Sequence, residues 1–281
     1  MGLLVFGLLE GAIIKGPDHA FLEKPHVSLP AEALASIGPF VITNTILSSW
    51  VTTIVLILLF VLATRKMELV PRGLQNVVEL AVESLYNFVH SVAGEQYARR
   101  FFPLVATLFF FVMVNAWLGL LPFYQSLGIF KDGQVETHML RPAGTDINMT
   151  FALALISFVF IESWGIRAHG FGFIKEFIRV GSIFRDFPKN VLMGVVDTFV
   201  GLLELVSHFI RIVSFGFRLF GNMTAGEILL LVSAFLVAFV ATLPFYALEL
   251  LVGFIQALIF AALTLVFASM AVAVAEGEEH H

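Results

Sequence analysis

Cysteine is absent from the chain, and charge is scarce: 13% of its 281 residues are Asp, Glu, Lys or Arg, against 59% hydrophobic ones. The first absence excludes disulfides, thiolate metal sites and a cysteine nucleophile. The second excludes an ordinary water-soluble domain, which carries about 25% charged residues, and it excludes a disordered chain as well. Long basic runs are missing too. With a formal charge of −5 and no Lys/Arg block, no nucleic-acid partner is expected. No internal repeat, low-complexity segment or soluble domain interrupts the sequence. The composition leaves a polytopic all-α membrane protein.

What the chain does have is long uncharged runs. Residues 33–64, 101–130, 228–248 and 250–275 carry no charge, the last two being separated by Glu249 alone. Each run reaches the ~20 residues that a membrane-spanning helix needs. A weaker fifth run, 147–165, carries Glu162 near one end. About five transmembrane helices are therefore expected. Arg65, Lys66 and Arg72 follow the first span, Arg99 and Arg100 precede the second, and Arg167, Lys175, Arg179, Arg185 and Lys189 follow the third. The other loops are poor in cations, holding Lys15 and Lys24 in the N-terminal segment and Lys131 and Arg141 in 125–146. The positive-inside rule then places the N-terminus outside and the C-terminus in the cytoplasm. Residues 1–14 lack a positive n-region, which argues against a cleaved signal peptide.

Residues 71–100 open with Pro71 and place Leu74, Val77, Val78, Ala81, Leu85, Phe88, Val89 and Val92 on one helical face, with Gln75, Glu79, Glu83 and His90 turned away. That pattern predicts an amphipathic surface helix. Residues 171–188 mix Phe and Ile with cations and read as a second interfacial stretch. The expected order is thus an extracytoplasmic segment (1–40), a first span (41–64), the surface helix (71–100), a second and third span (101–170) and a long membrane-embedded helical hairpin (190–275).

The hairpin is where the chemistry concentrates. Ionisable groups facing lipid cost about 2.5–3.5 kcal/mol each on insertion scales, so they face protein or water. Glu204, Ser207, Arg211, Ser214, Arg218 and Asn222 are spaced by three or four residues and share one helical face. At 1.5 Å per residue this stripe is about 27 Å long, nearly the thickness of the hydrocarbon core. Glu227 points to the opposite face. On the last helix Glu249 and Gln256 share one side, and an antiparallel hairpin turning near Pro244 brings Glu249 to Glu227 and Gln256 to Arg218 in one register. Two polar paths result that do not join. A guanidinium keeps its proton, so Arg218 is a fixed cation between them, able to block a straight leak and to stabilise an ionised carboxylate on another subunit.

The run Phe217-Arg218-Leu219-Phe220-Gly221-Asn222-Met223-Thr224-Ala225-Gly226-Glu227, together with Thr145-Asp146-Ile147-Asn148 and Gln256-Ala257, resembles the signature of the F-type ATP synthase subunit a family. The likeness extends over the chain beyond residue 40. It implies that Arg218 is the essential cation facing the carboxylate of a rotating c-ring. It implies an outer half-channel lined by Asn222, Glu227, Gln256 and Asp146, and a cytoplasmic one lined by Glu204, Ser207 and Ser214. Glu249, standing where many bacterial relatives carry histidine, completes the outer set. Protons would enter from outside, ride the ring through lipid and leave inward, with ring rotation driving ATP synthesis in a soluble head. Such a chain catalyses no nucleotide chemistry itself and needs no cofactor or metal. Its implied partners are the c-ring, b-type peripheral stalk subunits, the soluble ATPase head, membrane lipid and the translocated proton, with Na⁺ left open. The implied location is a bacterial inner membrane. Phe267 stands where some relatives have tyrosine, and Arg211 is a second cation on the stripe, suited to electrostatic tuning or to snorkelling.

Plainer roles stand beside these. A buried arginine is often an ion-pair partner, though the opposite-face geometry argues against pairing Arg218 with Glu227. Serines in membrane helices also bond to backbone or to neighbouring helices, and Asp146 just before a helical segment suits an N-cap. Glu162 reads as an interfacial charge. His208 reads as packed or snorkelling, with no second histidine at metal or haem spacing. Gly216, Gly221 and Gly226 permit close backbone approach, here by the ring. The rival function is an independent secondary ion transporter or channel, a class that shows repeated halves and broken helices. A membrane enzyme would need a Ser/His, Cys or His-Glu-x-x-His arrangement. The sequence shows none of these.

Overall fold

Helix starts and stops follow local chemistry in the computed structural model, which describes residues 30–38, 40–121, 124, 127–131, 134–170, 191–236 and 239–278. Strands β1 (Ala33–Ile37) and β2 (Phe40–Thr43) form an antiparallel hairpin. Thr43 then caps α1 (Asn44–Thr64), its Oγ1 accepting the Ile46 N–H at 3.4 Å. Helix α2 (Leu74–Gly119) breaks at Gly94, whose φ of 71° is open to glycine. The break falls inside the segment read from sequence as a surface helix. Before it, Leu74, Val77 and Leu80 are exposed while Leu85 and Val89 are buried; beyond it, Ala98 and Phe101 pack inside.

A second short hairpin, β3 (Gly128–Lys131) and β4 (Gln134–His138), precedes a 3-10 turn at Ala143–Thr145. Helix α3 (Ile147–His169) ends at Gly170, which has φ 60° and donates its N–H to the Ile166 carbonyl at 2.8 Å. Helices α4 (Val191–Leu236) and α5 (Phe239–Glu278) complete the chain. Pro244, expected at the turn between them, lies instead in the second turn of α5, where it removes one donor from the helix ladder.

Five helices among the described residues are long and apolar enough to cross a membrane, with spans at Asn44–Thr64, Leu74–Gly119, Ile147–Ala168, Phe199–Ser233 and Thr242–Ala273. The protein is a polytopic all-α integral membrane protein, as its composition required. The interfacial stretch 171–188 with its three cations, and residues 1–29, lie outside the described residues.

Each long helix contributes to two compact units. The first comprises the described parts of Met1–Ile54, Val112–Met149 and Leu219–Gln256. Its interior is polar and wired: the Tyr124 hydroxyl donates to Ser48 Oγ at 2.8 Å, Asn115 Nδ2 to Thr52 Oγ1 at 2.9 Å, and the Gly144 N–H to Asn115 Oδ1 at 3.2 Å. Burial pushes the Tyr124 phenol up from its ordinary pKa. The second unit comprises the described parts of Val55–Phe111, Thr150–Arg218 and Ala257–His281. Rings fill it: Phe101 meets Trp164, Phe160 and Tyr97 at centroid distances of 5.2, 5.6 and 5.6 Å. A stripe of Ala257, Ala261 and Ala268 on α5 is buried, and small residues of this kind let membrane helices approach closely.

Candidate functional site

In the first unit α4 and α5 meet through their polar side chains. Asn222 Nδ2 donates to Gln256 Oε1 at 2.5 Å, so the partner of Gln256 is Asn222, one turn beyond the Arg218 that the sequence register assigned to it. The Glu249 carboxylate lies against the backbone at Gly226, in the space where any side-chain carbon at that position would stand. A side chain at 226 would make the carboxylate, the movable end of Glu249, swing aside. Both α5 side chains are buried, Glu249 at 8% exposure and Gln256 at 2%.

Glu227 has a partner the sequence reading did not assign. Arg141 forks onto it: Nε donates to both carboxylate oxygens at 3.1 Å and Nη2 donates to Oε2 at 2.8 Å. The two side chains are 8% and 13% exposed. The loop carrying Arg141 is itself fixed, since its N–H donates to Ser48 Oγ at 3.1 Å. A usable signal did exist. A carboxylate within a span needs a cation, Arg218 faces away from Glu227, and 125–146 offers only Lys131 and Arg141.

A cavity of about 20 Å³ connects Glu227 and Glu249, walled by Ala116, Pro142, Met223 and Leu230. That volume admits one water. Asp146 sits nearby in the sequence motif but is fully engaged. Its Oδ1 accepts the Asn148 N–H at 2.9 Å, as an N-cap of α3 does, and its Oδ2 accepts from Thr45 Oγ1 at 2.7 Å.

In the second unit Ser207, Ser214 and Arg218 are all exposed along one face of α4. Among the described residues no acid pairs with Arg218. The side chain of Glu204 lies outside the described residues. Gly221 continues this face, with no atom of the described residues within 4 Å of where its Cβ would be. The three recurring glycines thus divide. Gly216 packs on Phe151, where a Cβ would come within 2.8 Å of the ring, and Gly226 packs on Glu249, leaving Gly221 alone open to an approaching partner.

Two further polar contacts escaped the sequence. His208 Nδ1 lies 2.7 Å from Glu162 Oε1, so the expected interfacial charge and the packed histidine are one pair across 46 residues of sequence. The Arg211 guanidinium stacks over Phe267 at 3.9 Å from the ring centroid. A phenyl suffices for that contact. Among the described residues there is no group of His, Asp and Glu suited to a metal ion.

Residues 46–269 match the ATP synthase A chain family. The chain is also similar to individual proteins named ATP synthase subunit a. That of Gloeobacter violaceus is 35% identical over 246 residues, covering 87% of this chain and 89% of that protein. That of Campylobacter jejuni is 35% identical over 228 residues, covering 80% and 88%. A protein of Pelobacter propionicus named ATP synthase subunit a 3 is 36% identical over 219 residues, covering 78% and 83%.

Proposed function

The chain belongs to the ATP synthase A chain family, and from that premise we propose that it is the proton-channel stator of a rotary F-type ATP synthase. In this role it works against a c-ring, is held by b-type stalk subunits and serves a soluble ATPase head that does the nucleotide chemistry. The membrane is a bacterial inner membrane, with the N-terminus outside and the C-terminus in the cytoplasm.

The observation that carries this reading is the contrast between two arginines. Arg141 is buried and bound to a carboxylate, whereas Arg218 is exposed on a face without an acid partner among the described residues. A cation left open in a membrane helix is costly unless a partner supplies its counter-charge. A ring carboxylate does so transiently.

On the outer path, the water-sized cavity brings a proton between Glu227 and Glu249. Both oxygens of Glu227 are engaged by Arg141, and a guanidinium cannot give up a proton to make way. Glu249, which has no such clamp among the described residues, is the acid that takes the proton and passes it on beside the Asn222–Gln256 contact. Asp146 supports the path by fixing the start of α3 against α1. The ring carboxyl receives the proton, turns neutral through lipid, and releases it along Ser214, Ser207 and Glu204. Arg218 stays charged throughout, stabilises the emptied ring carboxylate and repels a proton that would leak straight across.

Cross-linking tests the open face directly, because the chain has no cysteine of its own. Ser214→Cys and Gly221→Cys should form disulfides with cysteines placed near the ring carboxylate, while Ala261→Cys, buried in this chain, should not. Equal yields at all three positions would remove the assignment of this face to the ring.

A further inference from the structure

The second unit holds a cavity of about 610 Å³ that the proton path does not use. Tyr97, Arg99, Arg100, Trp164 and Arg167 line it, with Pro103 and Val272 adding apolar wall. No acid is among its described lining residues. Arg100 and Arg167 approach the same Trp164 ring, their guanidinium carbons 5.9 and 5.2 Å from its centroid. Two like charges gathered on one indole repel each other, and among the described residues neither has an ion-pair partner. Arg99 also borders a neighbouring cavity that contains Glu95, so Arg100 and Arg167 carry most of the uncompensated charge.

We propose that this cavity binds the headgroup of an anionic phospholipid. Guanidinium forks recognise phosphate oxygens in pairs of parallel hydrogen bonds. A basic pocket between transmembrane helices on the cytoplasmic side is the setting in which such headgroups bind, and the Lys/Arg distribution puts Arg99, Arg100 and Arg167 on that side. Trp164 provides the amphipathic ring that sits at headgroup depth. Pro103 and Val272 extend the wall with apolar surface suited to the start of an acyl chain, which a free phosphate ion would not contact. The bound anion cancels the repulsion between the two arginines and joins α2 to α3 within this unit.

The test uses the intact purified complex, titrated in detergent with phosphatidylglycerol and followed by counting lipid adducts in native mass spectrometry. Arg100→Gln/Arg167→Gln should weaken the tightest phosphatidylglycerol adduct at least tenfold and leave phosphatidylcholine adducts unchanged. Arg65→Gln/Lys66→Gln removes the same charge elsewhere on the basic surface and should leave that adduct in place. Should the first double variant not assemble, Arg167→Lys keeps the charge but loses the planar fork, and a threefold or greater weakening is expected. An equal loss in both double variants, or no loss in Arg167→Lys, overturns the site. Displacement of the lipid by millimolar inorganic phosphate overturns the lipid assignment, because it makes the cavity a site for the free ion.

Discussion

The two units solve the same problem, a low-dielectric interior crossed by helices, in opposite ways. Around 219–256 the interior is a mesh of hydrogen bonds: Tyr124 to Ser48, Asn115 to Thr52, Thr45 to Asp146 and Arg141 to Glu227. Around Phe101 the interior is mostly rings, with Ser157 joined to Thr264 at 2.7 Å and His208 paired with Glu162 among its polar contacts. The arginines differ accordingly. Arg141 is held by a carboxylate, Arg211 by Phe267, Arg100 and Arg167 share Trp164, and Arg218 is open. What a guanidinium does in a membrane protein is set by which of these it meets. A carboxylate makes it structural, a ring lets it keep charge near the hydrocarbon, and an open face makes it available to another subunit.

The comparison breaks most severely at Arg141. Arg141→Leu leaves Glu227 as an uncompensated buried charge, a loss of about 3–5 kcal/mol. The expected result is a marked fall in assembled complex and in its thermal midpoint. Arg141→Gln/Glu227→Gln, which neutralises both partners, should recover more than half of that fall. If the double variant is as unstable as the single, the fork is not what secures this loop.

A smaller effect separates the glycines. Gly226→Ala makes the Glu249 carboxylate swing aside and should cost about 1 kcal/mol, the low end of what overpacking does. Gly221→Ala meets no atom of the described residues within 4 Å and trades glycine for a better helix former, so thermal stability should hold or rise by up to about 1 kcal/mol. Thermal unfolding of the two complexes side by side checks the order, and a reversed order would contradict the packing of α4 on α5. The smallest effect belongs to Phe267→Leu, which removes the ring under Arg211. A loss of about 0.5–2 kcal/mol is expected, to be read by comparing the Phe267→Leu midpoint with that of Phe267→Tyr, which keeps a ring and should match the parent.

Much of this was readable in the chain. Charge-free runs gave the spans because a bilayer leaves few alternatives, and the run from Phe217 to Glu227 identified the resemblance without any tertiary knowledge. Asp146 was readable as an N-cap from its place before a helix. The contacts that decide roles were harder to read. Arg141 and Glu227 stand 86 residues apart; the scarcity of loop cations narrowed the partner of Glu227 to Lys131 or Arg141, but no periodicity chose between them. Glu162 and His208 were each judged alone, where their nearest neighbours in sequence gave no hint of the other. The glycine spacing suggested one shared purpose, yet steps of five residues turn about 140° each on a helix, so the three necessarily face different surroundings. Gln256 was placed against Arg218 because an index register is accurate only to about one turn.

The central claim is that Arg218, and not Arg141, is the cation on which proton movement turns. ATP-driven acidification of inverted membrane vesicles carrying Arg218→Ala tests it most directly, with assembly verified by co-purification of the c-ring and the soluble head. The account predicts a complex that assembles normally and pumps no protons. Pumping at the parent rate in an assembled Arg218→Ala complex would contradict it and would reduce Arg218 to a structural residue.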